Sequence, residues 1–228
     1  MSTLEQNYQR VTQRLINACQ QSGRQPGEVR LLAVSKTKPA DMVERCYQLG
    51  QRSFGENYLQ DAEAKIAALQ HLNEIEWHFI GPIQSNKTRP IATHFQWVET
   101  VCRDKIARRL NDQRPDDMAP LNVLLQVNVS GEPQKAGISL ADIPALAQLI
   151  EQLPRLTLRG LMCIPENTAD EAALAAQFAH MKHAWQQLQQ QYPQVDTLSM
   201  GMSADLELAV AQGSSEVRIG TDIFGARG

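Results

Sequence analysis

Three clusters in this 228-residue chain combine residue types able to do chemistry. The first centres on Lys36, which directly follows the apolar run from Val29 to Ser35. A lysine stem that leaves a desolvated strand favours the neutral amine, and a neutral amine can add to an aldehyde to form a Schiff base. The alternative is an ordinary solvated lysine at a strand end. Lys38, two residues on, would either lower the pKa of Lys36 or meet an anion. The second cluster runs from Met200 to Asp205. It reads as a strand end, a tight turn at Gly201, and Ser203 as the N-cap of a helix. Such a terminus offers unpaired N–H groups to a phosphate, and a plain serine cap fits equally well. The third cluster, Val217 to Gly225, places Gly220 and Thr221 after a strand. Glycine lets a backbone approach a ligand and threonine adds a hydroxyl. Arg218 alternates with Val217 and Ile219 and so faces the other side of the strand. It is either half of a structural ion pair or a donor to a ligand acceptor.

The elements that must position these residues alternate regularly. Leu4, Tyr8, Val11, Leu15 and Cys19 form one face of a helix over 4–19. Strands follow at 29–35, 52–54, 77–80, 95–99, 121–129, 156–164, 197–200 and 216–219. Between them lie helices: one with Pro39 in its first turn, then 58–71, 85–92, 103–111, 140–152, 168–191 and 204–212. Repeated βα units imply parallel strands, and eight of them imply a closed (β/α)8 TIM barrel. The expected architecture is therefore α/β, one domain over 1–228, with an extra N-terminal helix. In such a barrel the active face lies at the C-terminal ends of the strands, and phosphate sites favour the loops after strands seven and eight. An amine, an anion pocket and an arginine then meet on one face. Pyridoxal 5′-phosphate carries the aldehyde, phosphate and ring acceptor that satisfy all three.

Composition narrows the class further. The formal charge is −3 and 21% of residues are charged, which argues against a nucleic-acid partner. No stretch of 18 apolar residues is present to span a membrane, and the first twenty residues lack a signal-peptide core. Cys19, Cys46, Cys102 and Cys163 are far apart and form no CxxC or zinc-ligand spacing, as expected of reduced thiols in a cytoplasmic protein without a metal site. Nothing in the periodicity calls for a large interface, so a monomer is expected.

Several longer motifs carry a family resemblance. AVSKTKP at 33–39, FGENYLQ at 54–60, HFIGPIQSNK at 78–87, GLMCI at 160–164 and the stretch from Leu198 to Gly225 together resemble the pyridoxal phosphate homeostasis proteins. That family is similar in turn to the barrel domain of alanine racemase. The resemblance implies that Lys36 is the Schiff-base lysine. It implies that Ser203, Gly220 and Thr221 hold the phosphate, with Met202 as a backbone neighbour, that Arg218 faces the pyridine nitrogen, and that Asn57 and Met200 line the ring pocket. It also leaves room for a longer C-terminal helix than a chain ending at Gly228 provides.

An arginine at the ring nitrogen keeps that nitrogen unprotonated, which makes it a poorer electron sink than a pyridinium. The resemblance and this argument together imply a cofactor carrier in intracellular PLP homeostasis, without strong catalysis, passing PLP to PLP-dependent apo-enzymes. The competing reading is a racemase-like enzyme, which needs two bases. In alanine racemase the second base is a tyrosine from another domain, for which 228 residues leave no room; here Tyr58 is the one tyrosine expected near the active face. A third reading, a phosphosugar barrel enzyme without a cofactor, would use Glu56 as acid or base. Lys135 could meet a second cofactor molecule or simply be solvated, and His78 reads as structural. Asp205, beside the phosphate loop, should point away from it.

Overall fold

The apolar run that precedes Lys36 becomes the first strand, β1 (Arg30–Val34), buried through Leu32, Ala33 and Val34. It is followed by β2 (Ser53–Glu56), β3 (Glu76–Phe79), β4 (Trp97–Val101), β5 (Leu121–Val127), β6 (Leu156–Cys163), β7 (Thr197–Ser199) and β8 (Glu216–Ile219). In this computed structural model, which describes residues 3–226, these strands close in sequence order into one barrel. Every neighbouring pair is parallel, including β8 with β1, where Leu32 lies opposite Arg218. The expected (β/α)8 architecture is the one observed.

Helices form the outer layer: α1 (Leu4–Gln21), α2 (Ala40–Gln48), α3 (Leu59–Ala68), α4 (Thr88–His94), α5 (Asp104–Gln113), α6 (Ile143–Glu151), α7 (Glu171–Gln191), α8 (Leu206–Ala211) and α9 (Thr221–Phe224). The extra helix α1 begins in a capping box made by Thr3 and Gln6. It packs Leu4, Val11, Leu15 and Cys19 into the main core, which lies between the strands and the helices.

Most boundaries shift by a few residues from the sequence reading, and four differences have a physical reason. Gly55 and Glu56 belong to β2 rather than to a turn, because the Glu56 carboxylate is buried and paired behind the strand. β4 starts at Trp97 and not at Phe95, since the Phe95 carbonyl is taken by Arg114 Nη1 at 2.7 Å. Pro39 is the N-cap of α2 rather than part of its first turn. The short helix α9 was read as a turn because its four residues are too few to show a period. The expected longer C-terminal helix falls outside the described residues. Among the described residues no helix is long and apolar enough to cross a membrane.

Candidate functional site

At the C-terminal mouth of the barrel lies a cavity of about 390 Å³, at the lower end of the range of roughly 300–1,000 Å³ that small ligands occupy. Val34, Ile80, Met162 and Ile164 give it an apolar floor. Lys36, Lys38 and Arg218 line it, and no acidic residue does. A chain with an overall charge of −3 therefore concentrates positive charge in one low-dielectric pocket, which attracts an anion locally rather than through a global field. Lys36, Asn57, Met202, Ser203, Arg218, Gly220 and Thr221 all reach this cavity.

The amine side is held by a charged clamp. Lys36 follows β1, and the next residue, Thr37, has φ of 62°, a conformation costly for a β-branched residue. Asp61 on α3 meets that cost, because its Oδ2 accepts the Thr37 N–H at 3.0 Å. Lys65, one turn further along α3, is buried, and its Nζ donates to the Ser35 carbonyl at 2.7 Å and to Glu56 Oε1 at 2.6 Å. It also lies 2.9 Å from Asp61. Ser35 Oγ donates to the same Glu56 oxygen at 2.7 Å. The residues on both sides of Lys36 are thus anchored to α3. Burial raises the Glu56 pKa, with Lys65 and Ser35 pulling the other way. Glu56 itself does not line the cavity, so it is not placed to act there as an acid or base.

The anion side is built differently, from loops. Gly201 follows β7 with φ of 103°, and a Cβ there would stand 2.5 Å from the Ala209 side chain. Only glycine permits this turn to fold against α8. Ser203 lies two residues later in a turn rather than at a helix cap. The N-cap of α8 is Asp205, and its Oδ1 accepts the Met202 N–H at 2.6 Å. That bond draws the carboxylate out of the cavity, as its sign requires. Thr221 opens α9, and the first N–H groups of any helix lack intrahelical partners. Ser203, Gly220 and Thr221 share the cavity wall.

Met200 does not reach the cavity. Period two along β7 turns Ser199 into the barrel and Met200 outward, where it is buried in the core beneath the helices. Asn57 does reach it. Its backbone is pressed against Gly81, where a Cβ would come within 2.2 Å of the Asn57 carbonyl. Its Oδ1 is buried without a hydrogen-bond partner, so the carboxamide is set to meet a ligand group. Tyr58, 49% exposed, lines a neighbouring groove and not the Lys36 cavity. Lys135 pairs with Glu132 at 2.6 Å, and its Nζ donates to the Pro165 carbonyl.

Among the described residues Arg218 is held by neutral acceptors rather than by an ion pair. It is 5% exposed, and it donates to Ser199 Oγ and to the Cys163 carbonyl, each at 2.8 Å, while lining the cavity. Beneath it the barrel interior is polar: Ser199, Glu99, His78 and Glu216 are fully buried. His78 stacks on Trp97, and Arg30 and Arg159 each lie 4.6 Å from that ring. Burial drives the His78 pKa down to about 4, so the ring is neutral near pH 7. Burial and the nearby Glu99 push Glu216 up to about 8, so it holds a proton there. His78, Glu99 and Glu216 come close enough to suggest a metal site. His78 Nδ1 and Glu99 Oε1 are 2.7 Å apart, a direct hydrogen bond between two of the three.

Sequence reasoning missed the α3 clamp and this interior column. Lys65 did carry a signal, since it falls on the same inward stripe as Ala62 and Leu69. Glu99 and Glu216 were also unusual, as acidic residues inside predicted strands.

Fold and site together define a barrel protein with a lysine and an arginine lining a small cavity at the C-terminal mouth. The family described as alanine racemase, N-terminal domain, matches residues 2–228. The chain belongs to that family and, within it, to the pyridoxal phosphate homeostasis proteins. A protein of that name from Pseudomonas aeruginosa is 57% identical over 100% of this chain and 97% of its own. The structure of PipY from Synechococcus elongatus PCC7942, with PLP bound, is 39% identical with a TM-score of 0.81, covering 94% of this chain and 100% of that one. Alanine racemase from E. faecalis shares the fold at 15% identity, with a TM-score of 0.72 over 94% of this chain and 58% of its own.

Proposed function

We propose that this protein binds pyridoxal 5′-phosphate in the cavity at the barrel mouth and serves as a PLP carrier in cytoplasmic cofactor homeostasis rather than as an enzyme. The observation that carries this reading is that every charged residue described in the lining is a cation, with Lys36 and Arg218 sharing one small cavity. The partnerless Asn57 carboxamide and the hydroxyls of Ser203 and Thr221 fit the ring and phosphate of this cofactor. PLP supplies an electrophilic aldehyde carbon. The Lys36 amine would form a C=N bond to that carbon and release water. Ser203, Gly220 and Thr221, with the Met202 segment, would bind the phosphate. Arg218, which only donates, would bond the ring nitrogen and keep it unprotonated.

The PLP-bound relative supports this reading. The lack of a tyrosine base supports the carrier over the racemase: among the described residues no tyrosine lines the cavity with Lys36. Acceptors would be PLP-dependent apo-enzymes, and a monomer would leave the mouth open to them. The test is transfer. Loaded protein, mixed with an apo-enzyme that needs PLP, is expected to restore that enzyme's activity, and mixed with L-alanine it is expected to leave optical rotation unchanged. Racemisation at an enzyme-like rate would replace the carrier with the racemase.

A further inference from the structure

A run of hydrogen bonds leads from the cavity into the barrel interior. Arg218 Nη1 donates to Ser199 Oγ at 2.8 Å, Ser199 Oγ donates to Glu99 Oε2 at 2.9 Å, and Glu99 Oε1 meets His78 Nδ1 at 2.7 Å. The directions follow from the groups themselves. An arginine can only donate, so the serine oxygen accepts from it, and the serine hydrogen is left for a carboxylate that only accepts. Ser199, Glu99 and His78 are fully buried, so water does not compete for these bonds. A second anchor, the Cys163 carbonyl, accepts from Arg218 Nη2 at 2.8 Å. The guanidinium is a rigid planar fork, so two fixed donors orient all of it. A free arginine side chain would have many rotamers; this one has little freedom left, and it still borders the cavity.

We propose that Glu99, acting through Ser199, is the positioning residue that aims Arg218 at the ring nitrogen of bound PLP. The inference rests on the function proposed above and goes beyond it, since Glu99 lies on the far side of the barrel from β8 and touches no ligand-lining group except through Ser199. The Glu99 oxygen takes the serine hydrogen inward and leaves the serine lone pair for Arg218. Without it, Ser199 is free to turn its hydrogen elsewhere, and Arg218 loses one of its two anchors.

The test is a double-mutant cycle read by PLP titration and by the absorption band of the bound cofactor. Loss of a hydrogen bond to a charged group predicts that Glu99→Gln and Ser199→Ala each weaken PLP binding about tenfold. The band of each variant should move toward that of Arg218→Ala. In the Arg218→Ala background, Glu99→Gln should change the affinity by less than about twofold, because coupled residues are not additive. Equal effects in both backgrounds would show that Glu99 acts on the fold alone and would overturn the proposal, as would unchanged affinity in Ser199→Ala. Should Glu99→Gln fail to fold, Ser199→Ala and the near-isosteric Ser199→Cys carry the same cycle. A wild-type protein that gives no PLP band would overturn the proposed function along with this inference; a wild-type band with additive substitutions would overturn the inference alone.

Discussion

The two sides of the cavity are built on opposite plans. In the proposed function the amine side depends on one atom, Lys36 Nζ, and the backbone around it is held by a cluster of charges: buried Lys65 and Glu56 with the half-buried Asp61. The anion side would depend on no single group. Ser203 and Thr221 and the turns at Gly201 and Gly220 would share the work. The contrast follows from the chemistry. A covalent bond to an aldehyde requires one nucleophile at a fixed place, whereas a phosphate spreads its charge over three oxygens and accepts many weak donors. One side should therefore fail abruptly under substitution and the other gradually.

The sharpest break is Lys36→Ala, which should abolish the visible absorption of PLP-loaded protein, as an absorption spectrum would show; a surviving band would move the nucleophile to another lysine. Next is Lys65→Met, which leaves Glu56 buried without its cation. Removing one partner of a buried pair costs about 3–5 kcal/mol, which for a chain of this size lowers Tm by roughly 6–20 °C in thermal unfolding. PLP affinity should fall with it, since the Ser35 carbonyl loses its anchor beside Lys36. On the anion side, Ser203→Ala and Thr221→Ala should each weaken PLP binding only about tenfold, the low end for one hydrogen bond to a charged group, as measured by titration. An abrupt loss in either would erase the contrast.

The smallest effect concerns the interior rather than the mouth. Glu216 is faced by Glu99, His78 and Arg30, with Glu76 and Arg159 near His78. Its pKa of about 8 in the folded protein lies above the value of an unfolded glutamate, so the folded state binds this proton more tightly. Its contribution to stability is complete below pH 4.5 and is lost as pH rises through 8. Glu216→Gln should flatten that part of the Tm-versus-pH curve. His78 acts at the acid end: its pKa of about 4 is depressed, so its contribution is present above pH 6.5 and is lost as pH falls through 4.

The barrel was readable because each strand is a short apolar run and each helix shows its own period. Arg218 stood out by alternating with Val217 and Ile219. The resemblance puts Met200 in the ring pocket, but the alternation that turns Ser199 inward sends Met200 toward the helices. The cap lies two residues beyond Ser203: a serine before an apolar stretch looks like a cap, but Asp205 holds that position with its carboxylate turned back to the Met202 N–H. The α3 clamp and the Glu99–Ser199 link were beyond a local reading. Lys65 and Ser35 are 30 residues apart, and Glu99 and Ser199 are 100 apart, so only barrel closure brings them together.

The most direct test of the account is to incubate the protein with PLP, reduce with borohydride, and map the modified peptide by mass spectrometry. The account predicts one stoichiometric adduct on Lys36, absent from Lys36→Ala. No adduct, or one of equal yield on Lys38 or Lys135, would contradict it.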